Sequence, residues 1–259
     1  MAKSIFDVTL KLVHKEIYSD SLFKGRFAPV IEGTVLPAFE PGQFVQVWIK
    51  DCDGVMLRRP ISIYDMQSDY IDLLIQKAGR GTAAMFDAPI GSRYNVLLPL
   101  GNSFRLPDTD AHPLLVGGGV GIAPLYALGK KLNANGISPT FLFGARSAGH
   151  FPDLAPFKSL GTLFTTTEDG SEGEKGLVTR HSVLQANQFT HIYTCGPTPM
   201  MKAVAAWARE RHIPAQASLE NMMACGMGVC LCCVEPTVAG HKTVCHDGPV
   251  FDTAELLWE

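Results

Sequence analysis

Three cysteines fall close together at Cys225, Cys230 and Cys233, and a fourth follows at Cys245, giving the spacing C-x4-C-x2-C-x11-C. Thiolates this close can face one point only if the backbone turns tightly, and Gly226 and Gly228 supply the permissive φ angles such a loop needs. The fourth thiol is expected to arrive from a following hairpin. C-x4-C-x2-C with a distant fourth cysteine is the plant-type donor set for a 2Fe-2S cluster. A structural zinc uses the same residue types but usually takes repeated C-x2-C pairs. Disulfides need an oxidising compartment, and the expectation here is a reducing one, with no charged-then-apolar leader at the start. Cys232, between two proposed ligands, is expected to point away from them and pack as a bystander.

A second concentration is the turn Gly117-Gly-Gly-Val-Gly-Ile-Ala-Pro124, which follows the apolar run 112–116 and precedes a helical stretch at 124–135. Gly118, Gly119, Gly121 and Ile122 form a turn whose backbone N–H groups can approach a pyrophosphate at the start of a helix. Pro124 breaks the ordinary G-x-G-x-x-G fingerprint, and alone the segment also reads as a simple tight turn. Ala145-Arg146 and Cys195-Gly196-Pro197 follow two further strands, so three breaker-rich turns gather at the carboxyl edge of a sheet, where doubly wound folds bind ligands. A nicotinamide nucleotide fits there. Arg146 is a candidate for a 2′-phosphate, but one arginine after a strand does not separate NAD from NADP.

A third group lies earlier, in Arg58-Arg59-Pro60-Ile61-Ser62 and Gly79-Arg80-Gly81-Thr82. A guanidinium beside a strand can pair with a phosphate in a bidentate manner, and a serine hydroxyl can hydrogen-bond a heteroaromatic ring. Gly79 and Gly81 offer backbone N–H groups to the same anion. The same residues also read as a basic strand end followed by a hairpin turn.

The elements that must position these groups fall into three regions. Short strands expected at 5–13, 27–30, 44–49, 61–64, 70–76 and 94–98, with one helix near 82–88, suggest a small antiparallel barrel over residues 1–108. Strands at 112–116, 140–143, 163–167, 191–194 and 216–219, with helices at 124–135 and 199–211, argue a doubly wound parallel sheet over 109–219. The cysteine-rich tail is 220–259. A hydrophobic fraction of 46%, 18% charged residues and a net charge of −3 argue against a nucleic-acid binder and against disorder. With no apolar run of membrane-spanning length, the expectation is a soluble, cytoplasmic protein.

Taken together, Arg59-Pro-Ile-Ser62, Gly79-Arg-Gly-Thr82, Gly117–Pro124, Cys195-Gly-Pro197 and the cysteine quartet stand in the order of the ferredoxin-NADP reductase superfamily. Within it the chain most resembles the dihydroorotate dehydrogenase B electron-transfer subunits, including the ending Val244-Cys-His-Asp-Gly-Pro-Val-Phe-Asp252. The resemblance implies an FAD-binding barrel, a nicotinamide-binding α/β domain and a 2Fe-2S tail that docks on an FMN-containing catalytic subunit, in a heterotetramer with two copies of each chain. It implies that Arg59 lies on the FAD diphosphate and Ser62 near the reactive flavin nitrogen. Pro60, Ile61, Leu74, Ile75, Gln76, Gly79, Gly81 and Thr82 complete that site. Gln76-Lys77 stands where relatives commonly carry an aromatic and a basic residue. No side chain is assigned acid or base catalysis. A ferredoxin-linked transhydrogenase or hydrogenase-linked diaphorase subunit shares these cofactors, and a zinc-stapled redox sensor is the reading without catalysis.

Overall fold

The computed structural model describes residues 4–50, 52–186 and 188–258. The first region is a closed antiparallel barrel of β1 (Phe6–Ile17), β2 (Leu22–Pro29), β3 (Phe44–Trp48), β4 (Arg59–Met66), β5 (Ile71–Gln76) and β6 (Arg93–Leu100), in the order β1-β2-β5-β4-β3-β6. Helix α1 (Arg80–Asp87) crosses between β5 and β6. Alternation along each strand sends Leu10, Leu12, Phe23, Val45, Val47, Ile63, Leu73 and Val96 into one core. The opposite phase of β3 turns Phe44 and Gln46 to the outside of the barrel, where other regions cover them.

Several strands exceed their expected spans, β1 and β2 among them. In β1 the apolar alternation ends near Val13 because the pairing register shifts between Leu12 and His14, while the strand itself continues. In β2 the charges that hide its first half are matched on the neighbouring strands β1 and β5. Lys24 lies 3.0 Å from Glu16, and Arg26 donates two bonds of 2.7 Å to Asp72.

The second region is a sheet in the order β10-β9-β8-β7-β11-β12-β15. Its parallel strands are β7 (Pro113–Gly118), β8 (Thr140–Ala145), β9 (Thr162–Thr167), β10 (Glu174–Lys175), β11 (His191–Cys195) and β12 (Ala215–Ser218). Helices α2 (Ala123–Ala134), α3 (Ala155–Lys158), α4 (Val183–Ala186) and α5 (Thr198–Glu210) accompany them. Strands β7, β8 and β11 read as continuous apolar runs because both of their faces are covered. Leu115, Phe141, Phe143 and Tyr193 pack with α2 and α3, whereas Leu114, Val116, Leu142 and Ile192 pack with α4 and α5. The chain winds outward from β7 in one direction through β8 and β9, then resumes on the other side at β11, which leaves a crevice at the carboxyl ends of β7 and β11.

In the tail, β13 (Val234–Thr237) and β14 (Gly240–Thr243) form the expected hairpin between Cys233 and Cys245. Strand β15 (Val250–Asp252) then pairs antiparallel with β12, so the sheet takes its last strand from the tail. Phe44, Leu100, Met201, Ala217, Met223, Cys233, Val244, Cys245 and Phe251 share one buried cluster that ties barrel, sheet and tail together. The barrel is also fixed to α2. Lys130 donates to both carboxylate oxygens of Asp65 at 2.8 and 2.7 Å, and the rings of Tyr64 and Tyr126 stack at 4.3 Å. Among the described residues, no helix is long and apolar enough to cross a membrane.

Candidate cofactor and cluster sites

The four cysteines close in two pairs. Cys225 and Cys230 lie within hydrogen-bonding reach of one another, as do Cys233 and Cys245. The loop amides turn inward on them: Met227 N donates to Cys225 Sγ at 3.3 Å, Gly228 N to Cys245 Sγ at 3.1 Å and Cys245 N to Cys233 Sγ at 3.3 Å. Gly226 and Gly228, at φ +73° and +83°, provide the left-handed turns that aim those amides. Among the described residues, no three His, Cys, Asp or Glu side chains surround a single ion. The paired arrangement fits two metals, each taking two thiolates.

The pairs differ in setting. Cys233 and Cys245 are buried, Cys225 is half-buried and Cys230 is exposed. At Cys225, burial favours the neutral thiol, but amides from Met227, Cys230 and Val229 outweigh it and bring the group down to about 6. At Cys245, burial and the Cys233 thiol push the group up to about 12 against the opposing Gly228 amide. Cys225 is therefore prepared as thiolate, whereas a metal must displace a proton from Cys245. Cys232 is exposed rather than packed, contrary to expectation, because the loop turns it to solvent.

Beside this unit lies a cavity of about 660 Å³ bounded by β4, β5, the start of α1 and residues 218–223. Arg59, Pro60, Ile61, Ser62, Leu74, Ile75, Gln76 and Thr82 all line it. Gly79 and Gly81 instead shape its edge. Thr82 Oγ1 accepts from the amides of Ala78 and Gly79 at 2.9 and 3.2 Å, and a Cβ on Gly81 would stand 3.0 Å from Arg59 Nε. Arg59 thus lies at the amino end of α1, where first-turn amides lack helical acceptors. A cation beside the positive end of a helix is unfavourable alone and favourable with an anion between them. The edge therefore offers one cation and free first-turn amides to a single anion.

A second cavity, of about 730 Å³, opens at the crevice between β7 and β11. Gly118, Gly119, Ala145, Arg146 and Pro197 line it, and Gly119 has open space where a Cβ would project. Gly121, Ile122, Cys195 and Gly196 are buried behind it. Gly121 is held against the Cys195 carbonyl, 2.5 Å from where its Cβ would be, so it sets the spacing of the two turns. Burial, reinforced by Glu220 at 4.0 Å, holds the Cys195 thiol well above its usual range and keeps it neutral. Gln76 and Val120 border both cavities, so two ligands can meet there. Phe44, Met223 and Pro249 form the wall of the first cavity on the cluster side.

Sequence reasoning missed much of the walls. Ser19 and Ser21 from the β1–β2 turn, together with His150, Glu168, Leu177 and Met200, line the second cavity. Ser218, Asn221 and Met222 line the first. Glu168, from the loop after β9, faces this cavity. These residues reach their sites through long-range packing, and none carries a local signal.

Two family profiles match the chain. The profile of the iron-sulfur cluster binding domain of dihydroorotate dehydrogenase B matches residues 220–257, and an oxidoreductase NAD-binding domain matches residues 115–206. The chain is 39% identical over 237 residues to the dihydroorotate dehydrogenase B (NAD(+)) electron transfer subunit of Shouchella clausii, covering 88% of this chain and 91% of that one. The counterpart from Geobacillus thermodenitrificans is 38% identical over 84% and 87% of the two chains. A solved NADH-dependent reduced ferredoxin-NADP oxidoreductase, studied for flavin-based electron bifurcation, superposes with TM-score 0.86 at 29% identity, covering 96% of this chain and 90% of that one. The flavohem-like FAD/NAD-binding domain of a Vibrio cholerae nitric oxide dioxygenase, at 17% identity and TM-score 0.69 over 80% of this chain and 94% of that one, shares the fold. The cofactor set is FAD, a 2Fe-2S cluster and NAD, and the chain belongs to the family of dihydroorotate dehydrogenase B electron-transfer subunits.

Proposed function

We propose that this chain passes electrons between an FMN-containing dihydroorotate dehydrogenase catalytic subunit and NAD+, in a cytoplasmic heterotetramer with two copies of each chain. The observation that carries this reading is the sharing of Gln76 and Val120 by the two cavities, with Phe44 running from the first cavity into the buried cluster of Cys233 and Cys245. When bound, a flavin exchanges hydride with a nicotinamide and single electrons with an iron-sulfur cluster, so it belongs between them.

The protein's own part is binding and placement. In this reading residues 1–108 hold FAD, with Arg59 and the first-turn amides of α1 on the diphosphate and Ser62, Leu74, Ile75 and Gln76 along the ring. Residues 109–219 hold NAD at Gly118, Gly119, Ala145, Arg146 and Pro197, with Gly121, Ile122, Cys195 and Gly196 as the frame. Residues 220–259 hold the cluster through Cys225, Cys230, Cys233 and Cys245. Replacing Arg59 with Ala removes charge-assisted bonds worth about 1.5–3 kcal/mol, so FAD should bind roughly 10- to 100-fold more weakly. Fluorescence titration of flavin-stripped protein measures this. Arg59→Lys should recover only part of the loss, because an ammonium lacks the bidentate fork.

The docking surface proposed for the catalytic subunit surrounds the exposed Cys230, where Met227, Val229 and Leu231 are 45%, 79% and 65% exposed. Apolar side chains this open beside a metal loop suit a partner that excludes water from the outer thiolates. Val229→Asp with Leu231→Asp should weaken the complex by about 2 kcal/mol or more, roughly 30-fold, while cluster absorbance stays intact. Analytical ultracentrifugation of the mixed subunits reads the first effect and visible spectroscopy the second.

Co-expression with a dihydroorotate dehydrogenase catalytic chain tests the whole reading. A stable complex that reduces NAD+ with dihydroorotate supports it, and absence of both overturns it. The likeness to an NADH-dependent ferredoxin-NADP oxidoreductase favours reduced ferredoxin as a second partner class. Ferredoxin-driven NAD+ reduction without any dihydroorotate-dependent complex would select that alternative.

A further inference from the structure

Gln46 is fully buried, and neither its side-chain nitrogen nor its side-chain oxygen has a hydrogen-bond partner. Buried amides are almost always paired, and each one that is not asks for a group that completes it. Strand β3 fixes where this one points. Val45 and Val47 face the barrel core, so Gln46 projects from the outer surface beneath the cluster loop. It meets that loop at Gly226. A Cβ there would stand 2.8 Å from Gln46 Cγ and 3.2 Å from Gln46 Nε2, so both the positive φ and the close approach require glycine. Gln46 borders neither of the two large cavities, so its amide is not aimed at the flavin or the nicotinamide.

Resting on the cluster assignment made above, we propose that the Gln46 side-chain amide donates an N–H···S hydrogen bond to the iron-sulfur cluster, and that the barrel thereby sets the cluster's reduction potential. The donor set dictates which end of the amide faces the loop. Four thiolates and two sulfides make the centre an anion, which attracts N–H and repels a carbonyl oxygen. Reduction adds one more negative charge, so the bond is stronger in the reduced state and draws the potential upward. The loop's own backbone supplies amide donors at Met227 and Gly228; Gln46 adds one from the FAD-binding region. It is a positioning and tuning residue, not a ligand.

The test compares the holoprotein with Gln46→Met, which keeps length and apolar packing but removes the donor. Potentiometric titration followed by paramagnetic resonance should show a lower cluster potential and an unchanged flavin potential. At the potential where wild-type clusters are half reduced, the variant's reduced-to-oxidised ratio should fall by roughly three- to tenfold, a full tenfold being about 59 mV for one electron. An unchanged or raised cluster potential overturns the proposal while leaving the cluster assignment intact. A second measurement needs no variant. Wild-type protein with ¹⁵N in its glutamine side chains should show a nitrogen coupling in the reduced cluster's hyperfine spectrum, and Gln46→Met should lose it. If the variant fails to load a cluster, the wild-type coupling decides, and its absence overturns the proposal. A wild-type protein with no cluster at all would instead overturn the cluster assignment itself.

Discussion

Replacing Cys233 with Ser should remove the visible absorbance of the cluster and cut dihydroorotate-linked NAD+ reduction by on the order of a hundredfold or more. Loss of a mere supporting group at a metal centre typically costs about 10- to 100-fold, and Cys233 is proposed as a ligand. Cys233 is 2% exposed, accepts a hydrogen bond from the Cys245 amide and packs with Phe44 and Val244. The adjacent Cys232 supplies the control. It is exposed and belongs to neither thiol pair, so Cys232→Ser should retain both the spectrum and the activity. Flavin absorbance should persist in both variants, because none of the cysteines lines the first cavity. Iron and sulfide analysis beside the spectrum checks the result. Equal cluster loss in the two variants would show that the ligand set is wrong.

The second large effect is expected at Gly121. A side chain there drives into the Cys195 carbonyl and Gly196, at 2.5 and 2.6 Å from the new Cβ, and both contacts are backbone rather than a movable side chain. Gly121→Val must therefore spread the ends of β7 and β11, the strands whose turns line the second cavity. Overpacking of this kind costs about 1–3 kcal/mol of stability. The displaced turns should raise the KM for NADH by at least about tenfold, since 1.4 kcal/mol of lost binding is a factor of ten. Steady-state kinetics with a flavin-directed dye acceptor isolates this step from the partner. Gly149→Ala is the matched control, since a Cβ at Gly149 meets nothing within 4 Å.

The turns proposed to carry the chemistry were legible because they are punctuated locally. The cysteine spacing, the glycine turn after β7 and the Arg59-to-Ser62 segment each announce themselves within ten residues, and the structure assembles each at a cavity or thiol pair. The parallel strands were legible for a related reason, since burial on both faces writes an unbroken apolar run. Strand β2 was half hidden because Lys24 and Arg26 look solvated until their cross-strand partners Glu16 and Asp72 are known. Strand β15 was invisible because Val250–Asp252 has no period long enough to read, and its place is set by β12. Gln46 is the clearest case of information absent from the chain. As one polar residue in an alternating strand it reads as surface, and only the tail folded over β3 makes it a buried donor without a partner.

This also explains how one short tail can serve two purposes. Residues around 218–223 and Pro249 form a wall of the first cavity, β15 completes the sheet, and the loop between them holds the thiols. A tail built into both neighbouring regions would hold the proposed cluster at a fixed distance from the barrel. An independently tethered domain would have no such restraint.

We propose that this chain carries FAD and a 2Fe-2S cluster in one continuous path from NAD. Anaerobic purification of the protein, followed by its visible spectrum, metal and flavin content and response to NADH, tests it most directly. The predicted result is a coloured protein with stoichiometric FAD, iron and sulfide, whose flavin band bleaches when NADH is added. A colourless protein holding stoichiometric zinc, or a flavin band that NADH leaves untouched, would contradict it.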